Sequence, residues 1–168
     1  MINEFKGKYY FLSNFYTAPV EYEGLLYQNN EAAFQSAKVV DIERRKQFCN
    51  IDPSTSKRKG RNVTLRHDWE KIKDKVMEDC VRDKFTRNED LRQRLLDTGD
   101  DELIEGNNWN DIYWGVCRGR GKNMLGKILM NVRAELQEEM GFDCYGNWNN
   151  LCDKEYCSVW NKCKEISK

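Results

Sequence analysis

Two stretches limit the folds open to this chain more than any other feature, because each repeats its apolar residues at α-helical spacing. Between Asp68 and Phe85 these residues are Trp69, Ile72, Val76, Cys80 and Val81, which predicts a long amphipathic helix with Asp68 as its N-cap. Between Lys122 and Met140 they are Leu125, Ile128, Leu129, Val132, Leu136 and Met140, with Gly126 inside the stripe as a sign of close backbone approach. An amphipathic helix needs a surface on which to bury its apolar stripe. With 168 residues, 39% of them apolar, the chain is long enough to supply that surface within one globular domain. No internal repeat, linker or low-complexity segment interrupts it.

A third, shorter stretch carries the groups suited to chemistry. Tyr27 to Val39, YQNNEAAFQSAKV, predicts a helix capped by Asn29 or Asn30, with Glu31 at the end that suits the helix dipole. At 3.6 residues per turn Glu31, Gln35 and Lys38 share one face, so an acid, an amide and an amine stand in a row. One reading is a solvated surface helix bearing unrelated charges. The other is a binding face, since Glu31 and Lys38 are too far apart for the usual i,i+4 pair but suit two ends of one small ligand.

Elsewhere the signals are local. Residues 8–11, KYYF, have strand-like aromatic content, and VEYEGLLY predicts a hairpin turning at Glu23-Gly24. Asp41 suits the cap of a polar helix, DIERRKQFC. From Ile51 to Asp68 the chain reads as a loop punctuated by Pro53 and Gly60. It concentrates Lys57, Arg58, Lys59, Arg61 and Arg66, as either a solvated charged face or a phosphate-binding loop centred on Arg61. Leu91, Leu95 and Leu96 mark a helix that stops at Thr98-Gly99. ELIEG reads as a short strand and leads into NNWNDIYWGV, whose density of polar and aromatic residues exceeds what packing alone explains. Leu151, Cys152, Tyr156, Val159, Trp160 and Cys163 predict a helical extension over 141–168, added to a domain over 1–140.

Composition removes several classes of chemistry. Lysine plus arginine (28) balance aspartate plus glutamate (28), so contact with nucleic acid must rest on a local patch rather than a global field. No stretch approaches the length and apolarity of a membrane span, and MINEFKGKYYF lacks the apolar run of a signal peptide. The expectation is a cytoplasmic monomer that does not contact membranes. Seven cysteines, with Cys49, Cys80 and Cys117 scattered singly, suggest reduced thiols. Cys144, Cys152, Cys157 and Cys163 lack the paired spacing of a zinc ribbon. With His67 as the only histidine, neither a histidine-rich metal site nor a Ser-His or Cys-His nucleophile is expected. The expectation is therefore no metal and no cofactor, with chemistry left to carboxylates, lysine and backbone dipoles.

Five motifs in order, LSNFY, VEYEGLLYQNNEAAFQSAK, KGR-x-V-x-LR-x-DWE-x-x-K-x-x-VM, LIE-x-N-x-WNDIYWG and GKNMLGKILM, resemble the NADAR superfamily from about Tyr9 to Leu136. The resemblance implies a single α+β domain, largely helical with a few short strands. It also implies N-glycosidase activity on a ribose C1′ to nitrogen bond. Two substrate classes go with it, ADP-ribose attached to guanine in nucleic acid and phosphoribosylamino-pyrimidine intermediates of riboflavin synthesis. The family's glutamate motif falls on Glu31, Phe34, Gln35 and Lys38, its tryptophan on Trp69, and its aspartate before an aromatic-Trp-Gly on Asp111. The histidine that usually follows the glutamate is Ala32 here. Glu31, Lys38 and Asp111 become the catalytic candidates. Asn14, Phe15, Phe34, Gln35, Arg61, Trp69, Trp109, Trp114, Gly115 and Asn123, all in or beside these motifs, become the candidate substrate contacts.

The residue types suit this chemistry in their own right. Breaking a C1′–N bond builds positive charge on the sugar and negative charge on the base, which calls for carboxylates near C1′ and donors near the base. Lys38, if desolvated by Phe34 and Trp114, is a candidate Schiff-base nucleophile; if it stays protonated it serves a phosphate. Two further readings stay open, a module that binds ADP-ribose or a nucleotide without cleaving it, and a partner-binding scaffold.

Overall fold

The computed structural model describes residues 1–144, with side chains described through residue 139. Its centre is a 19-residue helix, Trp69–Arg87, which the apolar spacing foretells. Val76, Met77, Cys80, Val81 and Phe85 on this helix are almost wholly buried. In chain order the helices are α1 (Asn30–Ser36), α2 (Ile42–Lys46), α3 (Pro53–Gly60), α4 (Trp69–Arg87), α5 (Glu89–Leu96) and α6 (Met124–Cys144). The strands are β1 (Thr17–Tyr22), β2 (Leu25–Asn29), β3 (Gly106–Asn107) and β4 (Val116–Cys117). The result is an α+β architecture, largely helical with a few short strands. Helix α4 packs on β1, α1, α5 and α6, and a single cluster of buried side chains joins these elements.

Strands β1 and β2 form an antiparallel hairpin with Tyr22 opposite Leu25. Glu23 (φ 47°) and Gly24 (φ 77°) make the turn, and two consecutive positive φ angles give the twist that two-residue hairpins favour. The hairpin delivers Asn29 to the start of α1, where its side chain accepts the Ala32 amide at 2.8 Å. Asp41 caps α2 in the same way, accepting from Arg44. Strands β3 and β4 pair in parallel, with Gly106 opposite Val116 and Asn107 opposite Cys117.

Several local expectations are corrected. KYYF is no strand: Gly7–Leu12 forms a 3-10 helix that buries Phe11 and Leu12. The basic segment is a loop only from Arg61 on, because Asp52 accepts the Thr55 amide, Pro53 occupies the first turn, and α3 runs to Gly60. Lys57, Arg58 and Lys59 fall in its last turn, where the helix dipole favours positive charge. Asp68 does stand at the N-cap of α4, but its side chain makes no capping bond; the Arg66 guanidinium holds the carboxylate at 2.6 and 3.1 Å. ELIEG contributes only a bridge from Leu103 to Ile2, and strand β3 begins at its last residue, Gly106. Of the expected extension over 141–168, residues 145–168 lie outside the described residues; α6 itself runs to Cys144.

Gly126 shows why α6 carries a glycine inside its buried stripe. A Cβ there would lie 2.1 Å from the Leu103 carbonyl oxygen, far inside van der Waals contact. Gly126→Ala is therefore expected to destabilise the fold by about 1 to 3 kcal/mol, the range for overpacking, despite alanine's higher helix propensity. Urea unfolding would measure it, and an unchanged or raised midpoint would contradict the close approach.

Candidate active site

Helix α1 has no solvent face. All seven of its residues are buried, including Asn30, Glu31, Gln35 and Ser36, which excludes the solvated-helix reading. Each polar side chain must then find a partner within the protein. Ser36 bonds the Tyr27 hydroxyl at 2.8 Å, Asn30 donates to Asn14 Oδ1 at 2.6 Å, and Gln35 Nε2 donates to Glu31 Oε1 at 2.8 Å. The Glu31 amide donates to the Asn14 carbonyl at 3.1 Å, tying the helix start to the LSNFY segment.

The face bearing Glu31, Gln35 and Lys38 forms one wall of a cavity of about 890 Å³. That volume falls in the upper part of the range for small-molecule sites. The 3-10 segment supplies Tyr10, with Ser13, Asn14 and Phe15 following it. Helix α3 and its end supply Lys57 and Arg61, α4 supplies Trp69, Lys73 and Met77, and the 105–114 segment supplies Glu105, Trp109, Asp111, Tyr113 and Trp114. Eleven of the thirteen residues singled out in the sequence line this one space: Asn14, Phe15, Glu31, Phe34, Gln35, Lys38, Arg61, Trp69, Trp109, Asp111 and Trp114.

Gly115 and Asn123 do not line it. Both act from behind the wall. Asn123 donates to the Leu103 carbonyl at 2.8 Å and accepts the Glu105 amide at 3.0 Å. At Gly115 a Cβ would stand 2.3 Å from the Glu105 carbonyl oxygen, so a side chain would push the Glu105 backbone away. Ala32, where the family usually has a histidine, is fully buried in the core and absent from the cavity wall.

The aromatic side of the cavity is continuous. Phe34 lies 5.1 Å from Trp69 and 5.2 Å from Trp114, which in turn meets Tyr113 at 5.1 Å. Trp69, expected in the core, is 94% buried yet still reaches the cavity, whereas Trp109 is 54% exposed at the rim. Tyr113 bonds Asp74 through its hydroxyl at 2.8 and 2.9 Å, and Lys73 sits 4.2 Å over its ring.

Burial sets the electrostatics. It raises the Glu31 carboxyl above its ordinary value; the Gln35 amide and the Lys57 and Lys38 ammonium groups oppose that shift, and Asp111 adds to it. Burial lowers Lys38, Glu31 opposes the change, and the positive charges of Arg61 and Lys57 reinforce it. The Lys38 ammonium donates to the Gly60 carbonyl at 3.2 Å and stands 5.9 Å from the Trp69 ring centre. Helix α3 approaches α1 this closely only because residue 60 is glycine: a Cβ there would stand 1.9 Å from Gln35 Oε1. Asp111 is fixed by its own turn: Oδ1 accepts the amides of Tyr113 (3.1 Å) and Trp114 (2.9 Å), while Asn107 brackets its backbone with bonds of 2.7 and 3.1 Å.

Sequence reasoning missed Glu105, Lys57, Tyr10, Lys73, Met77 and Tyr113 as parts of this lining. Glu105 stands inside the LIE-x-N motif, so its position was marked although its burial was not. Among the described residues no group of three or more histidine, cysteine, aspartate or glutamate side chains is placed to hold a metal ion. Among them, too, no helix is long and apolar enough to cross a membrane. Cys80 and Cys117 are buried free thiols and Cys49 a partly buried one.

Comparison with known proteins places this arrangement. The NADAR domain model matches residues 2–137. The N-glycosidase YbiA of Escherichia coli (strain K12) is 37% identical over 131 residues, covering 76% of this chain and 81% of that protein. A riboflavin biosynthesis protein of Vibrio vulnificus (strain YJ016) is 37% identical over 137 residues, covering 79% of this chain but 37% of its own length. The NMR structure of E. coli YbiA superposes with a TM-score of 0.77 at 31% identity, covering 89% of this chain and 94% of that one.

The role of Asn123 behind the wall can be checked directly. Asn123→Ala removes two bonds to buried backbone and should lower folding stability by about 1 to 3 kcal/mol in urea unfolding. An unchanged unfolding midpoint would contradict a bracing role.

Proposed function

This chain belongs to the NADAR domain family, and from that membership and the cavity we propose that it hydrolyses the bond between ribose C1′ and a nitrogen of a base, with ADP-ribose on guanine in nucleic acid as the favoured substrate. The observation that carries the reading is the convergence of Glu31, Lys38 and Asp111 on one cavity walled by Phe34, Trp69 and Trp114. Relatives named as N-glycosidases support the reaction class. Trp109, half exposed at the rim, favours the nucleic-acid substrate, because an indole face there offers a neighbouring base something to stack on. Phosphoribosylamino-pyrimidines are the second reading, favoured by the likeness to a riboflavin biosynthesis protein.

Lys38 is the nucleophile in this scheme. Its neutral amine attacks C1′ as the C1′–N bond to the base breaks, and the base nitrogen takes up a proton. The resulting aminium loses a proton to a neighbouring carboxylate, O4′ leaves C1′ and is protonated, and a Schiff base forms. Water then adds to the imine carbon and expels Lys38, and the freed C1′ aldehyde closes again on O4′. The net change is one water consumed, a base N–H formed and a C1′ hydroxyl formed. Burial and the charges of Arg61 and Lys57 help the amine to be neutral, as attack requires. Asp111 and Glu31 supply the negative charge that the positive sugar needs. Lys57 and Arg61 stand where phosphate groups of the substrate would find counter-charge.

Borohydride added during turnover of guanine-linked ADP-ribose should trap a covalent adduct on Lys38. Lys38→Ala should lose trapping and at least about 100-fold in turnover. Lys38→Arg should fail equally, because a guanidinium is not deprotonated. Near-normal turnover by Lys38→Arg would make the lysine a charge clamp and favour direct attack by water. Arg61→Ala, removing a contact made equally before and during reaction, should raise KM about tenfold with little change in kcat. A fall in kcat at constant KM would count against phosphate binding by Arg61.

A further inference from the structure

The scheme above leaves the proton that reaches the departing base without a source, and the geometry points to Glu105 as its donor, a catalytic role that rests on the N-glycosidase reading. Glu105 lines the same cavity as Glu31, Lys38 and Asp111. Its Oε2 is buried and meets no hydrogen-bond partner among the described residues. An unpaired buried carboxylate oxygen is costly, so the site favours either a proton on that oxygen or a ligand facing it. The backbone holds the residue firmly on both sides. Asn123 accepts its amide at 3.0 Å, Val116 donates to its carbonyl at 2.9 Å, and Gly115 leaves the space that lets the strands approach.

The other three carboxylates of the lining are already engaged as acceptors, the exposed Glu70 by the Lys73 ammonium. Glu31 Oε1 takes the Gln35 amide, and Asp111 Oδ1 takes two backbone amides. Burial, and then the negative charge of Asp111, push the Glu105 carboxyl up to about 7, with Lys57, Lys6 and Lys84 acting in the opposite direction. Near neutral pH a large share of Glu105 therefore holds a proton while remaining a strong enough acid to release it. As the C1′–N bond breaks, its electron pair stays on the base nitrogen and the Glu105 proton moves to that nitrogen. The carboxylate left behind takes a proton back from the water that hydrolyses the Schiff base.

Glu105→Gln keeps the shape of the side chain but has no proton of this acidity to give. With guanine-linked ADP-ribose and a phosphoribosylamino-pyrimidine as substrates, its kcat should fall by roughly 100-fold or more while KM stays within about threefold. The limb of the kcat profile centred near pH 7 should disappear, and Glu105→Asp should restore part of the rate. A Glu105→Gln kcat within about threefold of the wild type, or a lowered kcat that keeps the limb near pH 7, overturns the assignment. If the wild-type protein cleaves neither substrate, the N-glycosidase reading fails first and the assignment falls with it. Carbon-13 NMR titration of the Glu105 carboxyl in the wild-type protein needs neither turnover nor a folded variant. A midpoint below about 5, in the ordinary glutamate range, overturns the proposal, and one near neutrality supports it.

Discussion

The structure depends on burying a helix that carries polar groups on the face it turns to the cavity. Helix α1 is too short to be stable alone, and its seven residues are all withdrawn from water, an acid and three other polar side chains among them. Such a helix persists only if its neighbours satisfy those groups. The surrounding elements satisfy most of them: Asn29 at the end of β2 caps the helix, Tyr27 bonds Ser36, the LSNFY segment bonds the Asn30 amide and the Glu31 backbone amide, and α3 approaches so closely that Gly60 has no room for a side chain, while Asn30 Oδ1 and Gln35 Oε1 meet no partner among the described residues. Anchoring on three sides leaves the fourth, with Glu31, Gln35 and Lys38, facing the cavity.

The second half of the site is built differently. The 105–114 segment has little regular structure, and its shape comes from side chains bonding to nearby backbone. Asn107 brackets Asp111, Asp111 gathers the amides of Tyr113 and Trp114, and Asn123 reaches from the start of α6 to hold Glu105. The asparagine and aspartate density of NNWNDIYWG thus has a structural reason, since Asn107 and Asp111 replace hydrogen bonds a sheet or helix would have provided. Burial on both sides of the cavity then shifts Lys38 and Glu105 towards their neutral forms, which is what the proposed covalent and acid steps need.

Much of this was legible in the sequence because the signals were local. Glycine after Glu23 marks the hairpin, the Asn29-Asn30 pair marks the start of α1 with Asn29 as the actual cap, apolar spacing marks α4 and α6, and Gly126 marks a close contact that the fold contains. Helical geometry puts Glu31 and Gln35 on one face, but α1 is shorter than the expected span from Tyr27 to Val39, and Lys38 reaches the cavity from the turn just beyond its end. The failures also have physical reasons. KYYF has the composition of a strand but lies where tertiary packing winds it into a 3-10 helix. Helix α3 has almost no apolar periodicity, and its markers, Asp52 at the cap and Pro53 in the first turn, are residue types that loops favour equally. Glu105 looked like one more charge in a short strand, because only the assembled fold buries it and places Asp111 nearby. Gly115 and Asn123 sit in the right motifs but support the cavity wall from behind.

The most direct test is to identify the bond that the purified protein breaks. An oligonucleotide carrying ADP-ribose on guanine, incubated with the protein and resolved by liquid chromatography and mass spectrometry, should yield free ADP-ribose with an intact diphosphate, together with unmodified guanine in an unbroken strand. Recovery of the substrate unchanged under conditions where a phosphoribosylamino-pyrimidine is split would shift the account to the small-molecule substrate. Recovery of both unchanged, or products cut at the diphosphate rather than at C1′, would contradict it.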